Sequence, residues 1–134
     1  MMDTAIEKLK AEGYSCVVAG ADGKVLFASA QTGITAVLEA AQCLRGAAVA
    51  DKIIGRAAAL ICAYGGAAEV YGEVMSAGAR AVLESHGIVC GFGTLTDAII
   101  NRTGDGICPM EKLVSDTDSP EEAYKLISEK VRRF

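Results

Sequence analysis

Hydrophobic and polar residues alternate along the first third of the chain in two different periods. Over residues 3–12, apolar residues recur at helical spacing and Gly13 follows, so this segment is predicted to be a short helix. The next stretch, YSCVVAGADGKVLFASA, contains two apolar runs on either side of Asp22-Gly23, a dipeptide that tolerates the positive φ angles of a tight turn. We therefore expect a helix followed by a β-hairpin.

The middle of the chain is dominated by helical patterns. From Thr32, which suits an N-cap, apolar residues recur at helical spacing until Gly46. Over residues 53–63, apolar residues lie on every side, which predicts a central helix that is covered all round. Asp51 suits the N-cap of that helix.

The second half of the chain predicts strands separated by helices. AAEVYGEV and IVCGF are typical of short strands, and MSAGARAVLESHG between them is typical of a helix. TLTDAIINR predicts a further helix capped by Thr94 or Thr96, and CPMEKLV opens one more helical turn. Ser119 and Pro120 indicate a cap and a first helical residue, so a last helix is expected to follow them.

Strands that are separated by helical crossovers predict a mixed sheet sandwiched by helices. No internal repeat, low-complexity tract or change in composition divides the sequence. We therefore expect one α/β domain over residues 1–134.

Composition and charge exclude several classes of partner. The formal net charge is −4 and the basic residues are spread along the chain, so no basic cluster indicates nucleic-acid binding. The N-terminal segment is charged, without the apolar region of a secretory signal, and the most apolar window, residues 53–63, is too short to span a bilayer. We expect a cytoplasmic protein without a membrane partner. Because 51% of the residues are hydrophobic in so short a chain, a homo-oligomer is also expected.

The five cysteines and one histidine do not form a metal-binding pattern. No two cysteines are close in sequence, and an odd number in a cytoplasmic chain argues against a disulfide framework. A zinc site would need ligands from four distant segments, so no metal is predicted. The glycine-rich phosphate-binding motifs are also missing, and no cofactor is predicted.

The stretch DKIIGR carries charges directly before the most apolar part of the chain. With Asp51 as an N-cap, Lys52 and Arg56 are four residues apart and share a helical face. Like charges on one face repel unless an anion lies between them, and the first N–H groups of a helix also attract an anion. Gly55 would allow a ligand to approach closely. The alternative interpretation is a capped helix whose first turn is solvated.

Cys108 directly precedes a helical turn. With Pro109 at the first helical position, Cys108 is the N-cap, and Glu111 occupies the third position, where a capping-box acid is found. A helix start stabilises a thiolate, which makes Cys108 a candidate nucleophile. The alternative is a half-buried thiol that covers a turn, since free cysteine usually behaves as a small apolar residue.

Two further places offer polar side chains for a ligand. Asn101 and Arg102 lie in a polar, glycine-rich turn, where Arg102 is suited to bind an anionic group; a solvated loop is the alternative. Glu73 follows the strand pattern VYG, and open α/β sheets bind ligands at the ends of their strands. The alternative for Glu73 is an ordinary loop acid.

Three stretches together, DKIIGRAAAL, VYGEVMSAGA and NRTGDGICPMEK, resemble an uncharacterised bacterial family that is placed in the cytidine-deaminase-like fold. The similarity extends over nearly the whole chain. It implies a three-layer α-β-α domain with a mixed sheet and helices on both faces. In deaminases of this fold, two helix starts carry the zinc ligands and a proton-shuttling glutamate.

The chain departs from the deaminase pattern at both helix starts. The first offers Asp51 and Lys52, and the second offers Ser76 in a stretch without cysteine. Without zinc no bound water is activated, so zinc-dependent deamination is not expected. The resemblance instead implies a retained pocket, lined by Asp51, Lys52, Glu73, Ser76 and the loop that carries Cys108.

The first functional hypothesis is that this pocket binds a small anionic or nucleotide-like ligand. Lys52 would supply positive charge together with Arg56 or Arg102, while Glu73, Ser76 and Asn101 would add polar contacts.

Two alternatives remain open. In the first, Cys108 is the nucleophile of an enzyme that transfers sulfur or an acyl group. Lys52 would then stabilise the thiolate or carry protons, and Asp51 or Glu111 would act as acid or base. In the second, the protein is a structural or regulatory homo-oligomer, and all of these motifs serve capping and packing.

Overall fold

The computed structural model describes residues 2–31, 34–97 and 109–132. The helices are α1 (Met2–Glu12), α2 (Ile34–Ala40), α3 (Arg56–Gly65), α4 (Ala77–Ser85), α5 (Pro109–Leu113) and α6 (Pro120–Arg132), and a 3₁₀ turn, Ala41–Cys43, follows α2. The strands are β1 (Cys16–Ala19), β2 (Val25–Ser29), β3 (Ala48–Ile54), β4 (Glu69–Ser76) and β5 (Val89–Thr96).

The strands form one mixed sheet in the order β2-β1-β3-β4-β5. β1 is antiparallel to both of its neighbours, whereas β3, β4 and β5 run parallel. Because the parallel strands are joined by α3 and α4, both helices begin where a strand has just ended. The starts of α3 and α4 therefore lie at the same edge of the sheet.

Helices cover both faces of the sheet. α1 packs on one face, where Leu9 contacts a small cluster that includes Val17 and Ala50. The larger core lies on the other face, where α3 is central and packs against α2, α4 and α6. The rings of Tyr64 and Tyr124 stack between α3 and α6 with centroids 4.2 Å apart. This arrangement confirms the predicted three-layer α/β architecture with a mixed sheet.

Several local predictions are confirmed. The hairpin of β1 and β2 turns at Gly23, whose φ angle of 82° lies in the left-handed region that favours glycine. Gly87, with a φ angle of 71°, follows the end of α4. α6 begins at Pro120, and Ser119 caps it by accepting the N–H of Glu122 at 3.2 Å.

The prediction of a helix that starts at Asp51 is wrong. Residues 48–54 form β3, and α3 begins only at Arg56, with Gly55 as its N-cap. β3 is an interior strand of the sheet and residues 48–50 are buried, so its apolar run is continuous over these residues. Periodicity alone does not distinguish such a strand from a buried helix.

The prediction that Thr94 or Thr96 caps a helix is also wrong, because both residues belong to β5. Threonine is β-branched and is favoured in strands as well as at helix N-caps, so neither threonine by itself distinguishes a strand from the start of a helix. The rest of that predicted helix, residues 98–102, and the predicted cap at Thr32 lie outside the described residues. No helix in the described ranges is long and apolar enough to cross a membrane.

Gly72 in β4 provides a test of how closely the sheet and the core pack. A Cβ at this position would lie 3.0 Å from Cγ1 of Ile54 and 3.0 Å from the carbonyl oxygen of Val74. We expect Gly72→Ala to lower the free energy of unfolding by about 1–3 kcal/mol, because a backbone atom blocks relaxation on one side. Urea denaturation measures this change.

The matched control is Gly91→Ala in the adjacent strand, where a Cβ would meet only Cδ2 of Tyr71 at an ordinary 3.7 Å. An equal loss of stability in both variants would contradict the packing explanation.

Candidate functional site

A pocket lies between the starts of α3 and α4, beside the carboxyl ends of the parallel strands. Its volume is about 380 Å³, within the range of small-molecule sites. The residues that line it come from both helix starts, from the end of β5 and from the segment that contains α5: Arg56, Ser76, Gly78, Asp97, Glu111, Ser115 and Asp118.

Glu111 of α5 caps the start of α3. Gly55 has no side chain to satisfy the first N–H groups of the helix. Instead, the N–H of Arg56 donates to Oε1 of Glu111 at 2.7 Å, and the N–H of Ala57 donates to Oε2 at 2.8 Å. The prediction that Glu111 belongs to a capping box in its own helix is therefore corrected, because both carboxylate oxygens bind a helix that begins 55 residues earlier.

The side chain of Arg56, at the start of α3, in turn donates hydrogen bonds to the segment that follows α5. Its Nε donates to the carbonyl oxygen of Val114 at 3.1 Å, and its Nη2 lies 2.6 Å from Oδ1 of Asp118. Nη2 also donates to the carbonyl oxygen of Thr117. Both positive groups at the start of α3, the N–H groups and the guanidinium, are thus paired within the chain.

Ser76 organises the start of α4. It is the N-cap residue, is only 3% exposed, and its Oγ accepts the N–H of Ala79 at 3.0 Å. A Cβ on Gly78 would be 4.0 Å from both Ser76 Oγ and Arg56 Cβ, so the starts of the two helices are close neighbours. Ser76 therefore lines the pocket, and its oxygen is engaged in capping α4.

Acidic groups predominate in the lining of the pocket. The described lining contains three acidic residues, Asp97, Glu111 and Asp118, and one arginine, Arg56, while Ser76 and Ser115 add hydroxyl groups. Because Arg56 is bound to Asp118 and to carbonyl oxygens, the described lining offers mainly hydrogen-bond acceptors. Such a lining suits a ligand that presents hydrogen-bond donors.

Asp51 lies in the core rather than at a helix start. It is 6% exposed and its Oδ1 accepts the N–H of Ile53 at 3.1 Å. Burial raises the pKa of Asp51 to about 7; hydrogen bonds from Ile53 and the Cys16 thiol oppose this shift, and the charge of Glu73 adds to it. Burial also raises the pKa of the Cys16 and Cys62 thiols, and the charge of Asp51 raises both further. Both thiols are free and buried in the core.

The structure brings together some of the predicted site residues. Arg56, Ser76 and Glu111 all line the pocket. Lys52, which is exposed, and Glu73, which is half-buried, lie within β3 and β4 and are not among the lining residues. Asp51 is also separate from the lining, because β3 continues three residues beyond it before α3 can begin.

Asn101, Arg102 and Cys108 lie outside the described residues, and their roles stay predictions. α5, which follows Cys108, contains only five residues. A helix this short has a weak dipole, so the reasoning that a helix end activates Cys108 loses much of its physical basis.

Sequence reasoning missed Asp97, Ser115 and Asp118. Asp97 directly follows β5. If the sequence analysis had placed the end of this strand correctly, Asp97 would have been a candidate, because ligands bind beyond the carboxyl ends of parallel strands. Ser115 and Asp118 lie in the turn between α5 and α6, and no local pattern shows that this turn contacts α3.

The helix starts do not fit the zinc site that the deaminase-like resemblance implies. α3 begins with Arg56 and Ala57, and α4 begins with Ala77 after Ser76, so neither start supplies a thiolate or imidazole. Within residues 2–31, 34–97 and 109–132, no group of three or more His, Cys, Asp or Glu residues is arranged to hold a metal ion.

Comparisons with known proteins identify one family. The family described as a domain of unknown function (DUF1893), TM1506, matches residues 4–131. Four chains of solved structures match, among them the crystal structure of the DUF1893 family protein TM1506 from Thermotoga maritima. That protein is 25% identical, with a TM-score of 0.86 over 93% of this chain and 86% of its own. No curated protein matches significantly.

The double hydrogen bond of Glu111 predicts a measurable contribution to stability. Glu111→Gln keeps one acceptor oxygen but leaves one N–H at the start of α3 without its partner. We expect the free energy of unfolding to fall by about 1–3 kcal/mol. Chemical denaturation at neutral pH tests this, with Glu121→Gln in the exposed first turn of α6 as the control. Equal effects of the two substitutions would contradict the capping role.

Asp51 predicts a pH dependence of stability. Its folded-state pKa, about 7, is above the ordinary value of an aspartate, 3.8, so the folded protein holds the proton more tightly than the unfolded chain does. Stability should therefore fall as the pH rises from about 4 to about 7, by up to about 4 kcal/mol. Asp51→Asn should remove this slope and make the protein more stable than wild type above pH 7, as measured by urea denaturation across the pH range.

Asp22→Asn is the matched control for this pH series. Asp22 also accepts the N–H of the residue two positions later, but it is exposed. A wild-type slope that survives in Asp51→Asn would show that another group causes it.

Proposed function

The chain belongs to the DUF1893 family, and we propose that it binds a small polar ligand rich in hydrogen-bond donors in the pocket between α3 and α4. Amines and nucleosides have this chemistry. One observation carries the proposal: the positive groups of the described lining are paired within the chain, while Asp97 adds a further exposed carboxylate.

The ligand class proposed here differs from the anionic ligand that the sequence favours. An anion at the start of α3 would have to displace Glu111 from two short hydrogen bonds. It would also compete with Asp118 for Arg56 and would lie beside Asp97. A ligand with amino or hydroxyl groups meets none of these costs, because it donates to the carboxylates that are already present.

The location and the size of the pocket also support the proposal. Open α/β sheets bind ligands outside the carboxyl ends of their strands, and this pocket lies at the ends of β3, β4 and β5. A volume of about 380 Å³ is near the lower end of ligand pockets, which suits a small metabolite. The resemblance to the cytidine-deaminase-like fold adds support for a nucleoside-like ligand, since members of that fold bind nucleobases at the corresponding helix starts.

No described group supports zinc-dependent deamination, and the nucleophilic role of Cys108 stays an alternative. Cys108 directly precedes Pro109, the first residue of α5, and Glu111 of the same helix lines the pocket. We favour ligand binding over the nucleophilic role of Cys108, because binding requires only groups whose positions and partners are described.

Thermal shift measurements followed by calorimetry test the proposed ligand class. Cytidine, adenosine and a short diamine serve as donor-rich probes, and inorganic phosphate serves as the anionic probe. We expect at least one donor-rich probe to raise the melting temperature. We also expect Asp97→Asn to weaken its binding by about tenfold or more, because a hydrogen bond to a charged group is lost.

Asp116→Asn is the matched control, since Asp116 is an exposed aspartate outside the lining of the pocket. Binding of phosphate alone, or equal weakening by both substitutions, would refute the proposal.

A further inference from the structure

β5 forms one edge of the sheet. Its inner edge pairs with β4, and no described strand pairs with its outer edge. Along residues 89–95, every second residue therefore directs its backbone N–H and C=O groups away from the sheet. An open strand edge of this length is a template for pairing with another strand.

β5 lacks two features that usually protect a strand edge. Val89–Thr96 contains no charged residue and no proline, and its pairing with β4 is parallel. The opposite edge, β2, differs: it is only five residues long, follows Lys24, and its pairing with β1 shifts register between Val18 and Ala19. Among the described residues, β5 is thus the less protected of the two edges of the sheet.

Three large apolar side chains of β5 are exposed, at a spacing of three residues. Val89 is 66% exposed, Phe92 is 37% exposed and Leu95 is 39% exposed. Val89 and Leu95 lie three residues on either side of Phe92, and Gly91 and Gly93 lie one residue on either side. In an antiparallel pair with its two-fold axis at Phe92, Val89 opposes Leu95 of the second copy and Gly91 opposes Gly93.

We propose that the outer edge of β5 binds the same strand of a second copy of this chain, antiparallel, about a two-fold axis at Phe92. The two sheets then join into one continuous sheet. The strand is complementary to itself: Val89 faces Leu95 and Gly91 faces Gly93. The strand itself carries no charge, and the guanidinium of Arg80 lies over the ring of Phe92, 5.6 Å from its centroid. Each chain carries a formal net charge of −4, and the copies approach through an uncharged strand.

The pairing also brings complementary groups to the pocket. Asp97, which lines the pocket, directly follows the end of β5, and His86, which is exposed, lies shortly before the start of β5. In an antiparallel pair the end of one strand lies beside the start of the other, so His86 of the second copy comes to the same end of the contact as Asp97. The second copy thereby contributes a polar residue to the rim of each pocket. The dimer itself does not depend on any ligand.

Sedimentation over a range of protein concentrations tests the proposal. We expect wild type to form a species of twice 13.8 kDa. Val89→Lys should raise the dissociation constant by at least about tenfold, because a charged ammonium would be desolvated at the contact. Leu26→Lys is the control: Leu26 is 51% exposed on the opposite edge strand, and its substitution should leave the dissociation constant unchanged.

A cysteine placed on the axis tests the register. Phe92→Cys should form a disulfide-linked dimer in the presence of oxidised glutathione, because the two thiols would face each other within disulfide distance. Leu26→Cys should not. A wild-type monomer at all concentrations, a dimer that Leu26→Lys disrupts and Val89→Lys does not, or equal cross-linking of both cysteine variants would each overturn the proposal.

Discussion

The carboxylate of Glu111 at the start of α3 is the contact on which the arrangement of the site depends. α3 is the central helix of the larger core, and its first turn follows Gly55, which has no side chain to cap it. Two unpaired N–H groups at a partly buried helix start would be costly. Glu111 satisfies both and thereby fixes α5 against α3.

Arg56 makes a second connection between α3 and the segment of α5, and its pairing determines the chemistry of the pocket. Its guanidinium holds the turn between α5 and α6 through two carbonyl oxygens and Asp118. Within the described lining, the positive groups are paired with other parts of the chain, and Asp97 adds an exposed carboxylate. This pairing is the reason why we propose a donor-rich ligand rather than the anion that the sequence favours.

Two buried or partly buried carboxylates of this chain have opposite roles because their surroundings differ. Glu111 accepts two backbone N–H groups at a helix start, which stabilise its charge. Asp51 lies in the core beside the thiols of Cys16 and Cys62, where burial disfavours its charge. From the sequence, both residues are predicted to be acids at helix starts. Only their surroundings in the fold make Glu111 a helix cap and Asp51 a carboxyl group of the core.

Local pattern by itself determined the hairpin at Gly23, the start of α6 at Ser119 and the mixed α/β architecture, because turns, caps and periodicity act between near neighbours. The tertiary structure decided that Asp51 belongs to a strand and that Glu111 caps α3. An interior strand and a buried helix share one apolar pattern. A carboxylate that accepts N–H groups 55 residues away gives no local signal in either segment, because these hydrogen bonds form only once the fold has brought the two segments together.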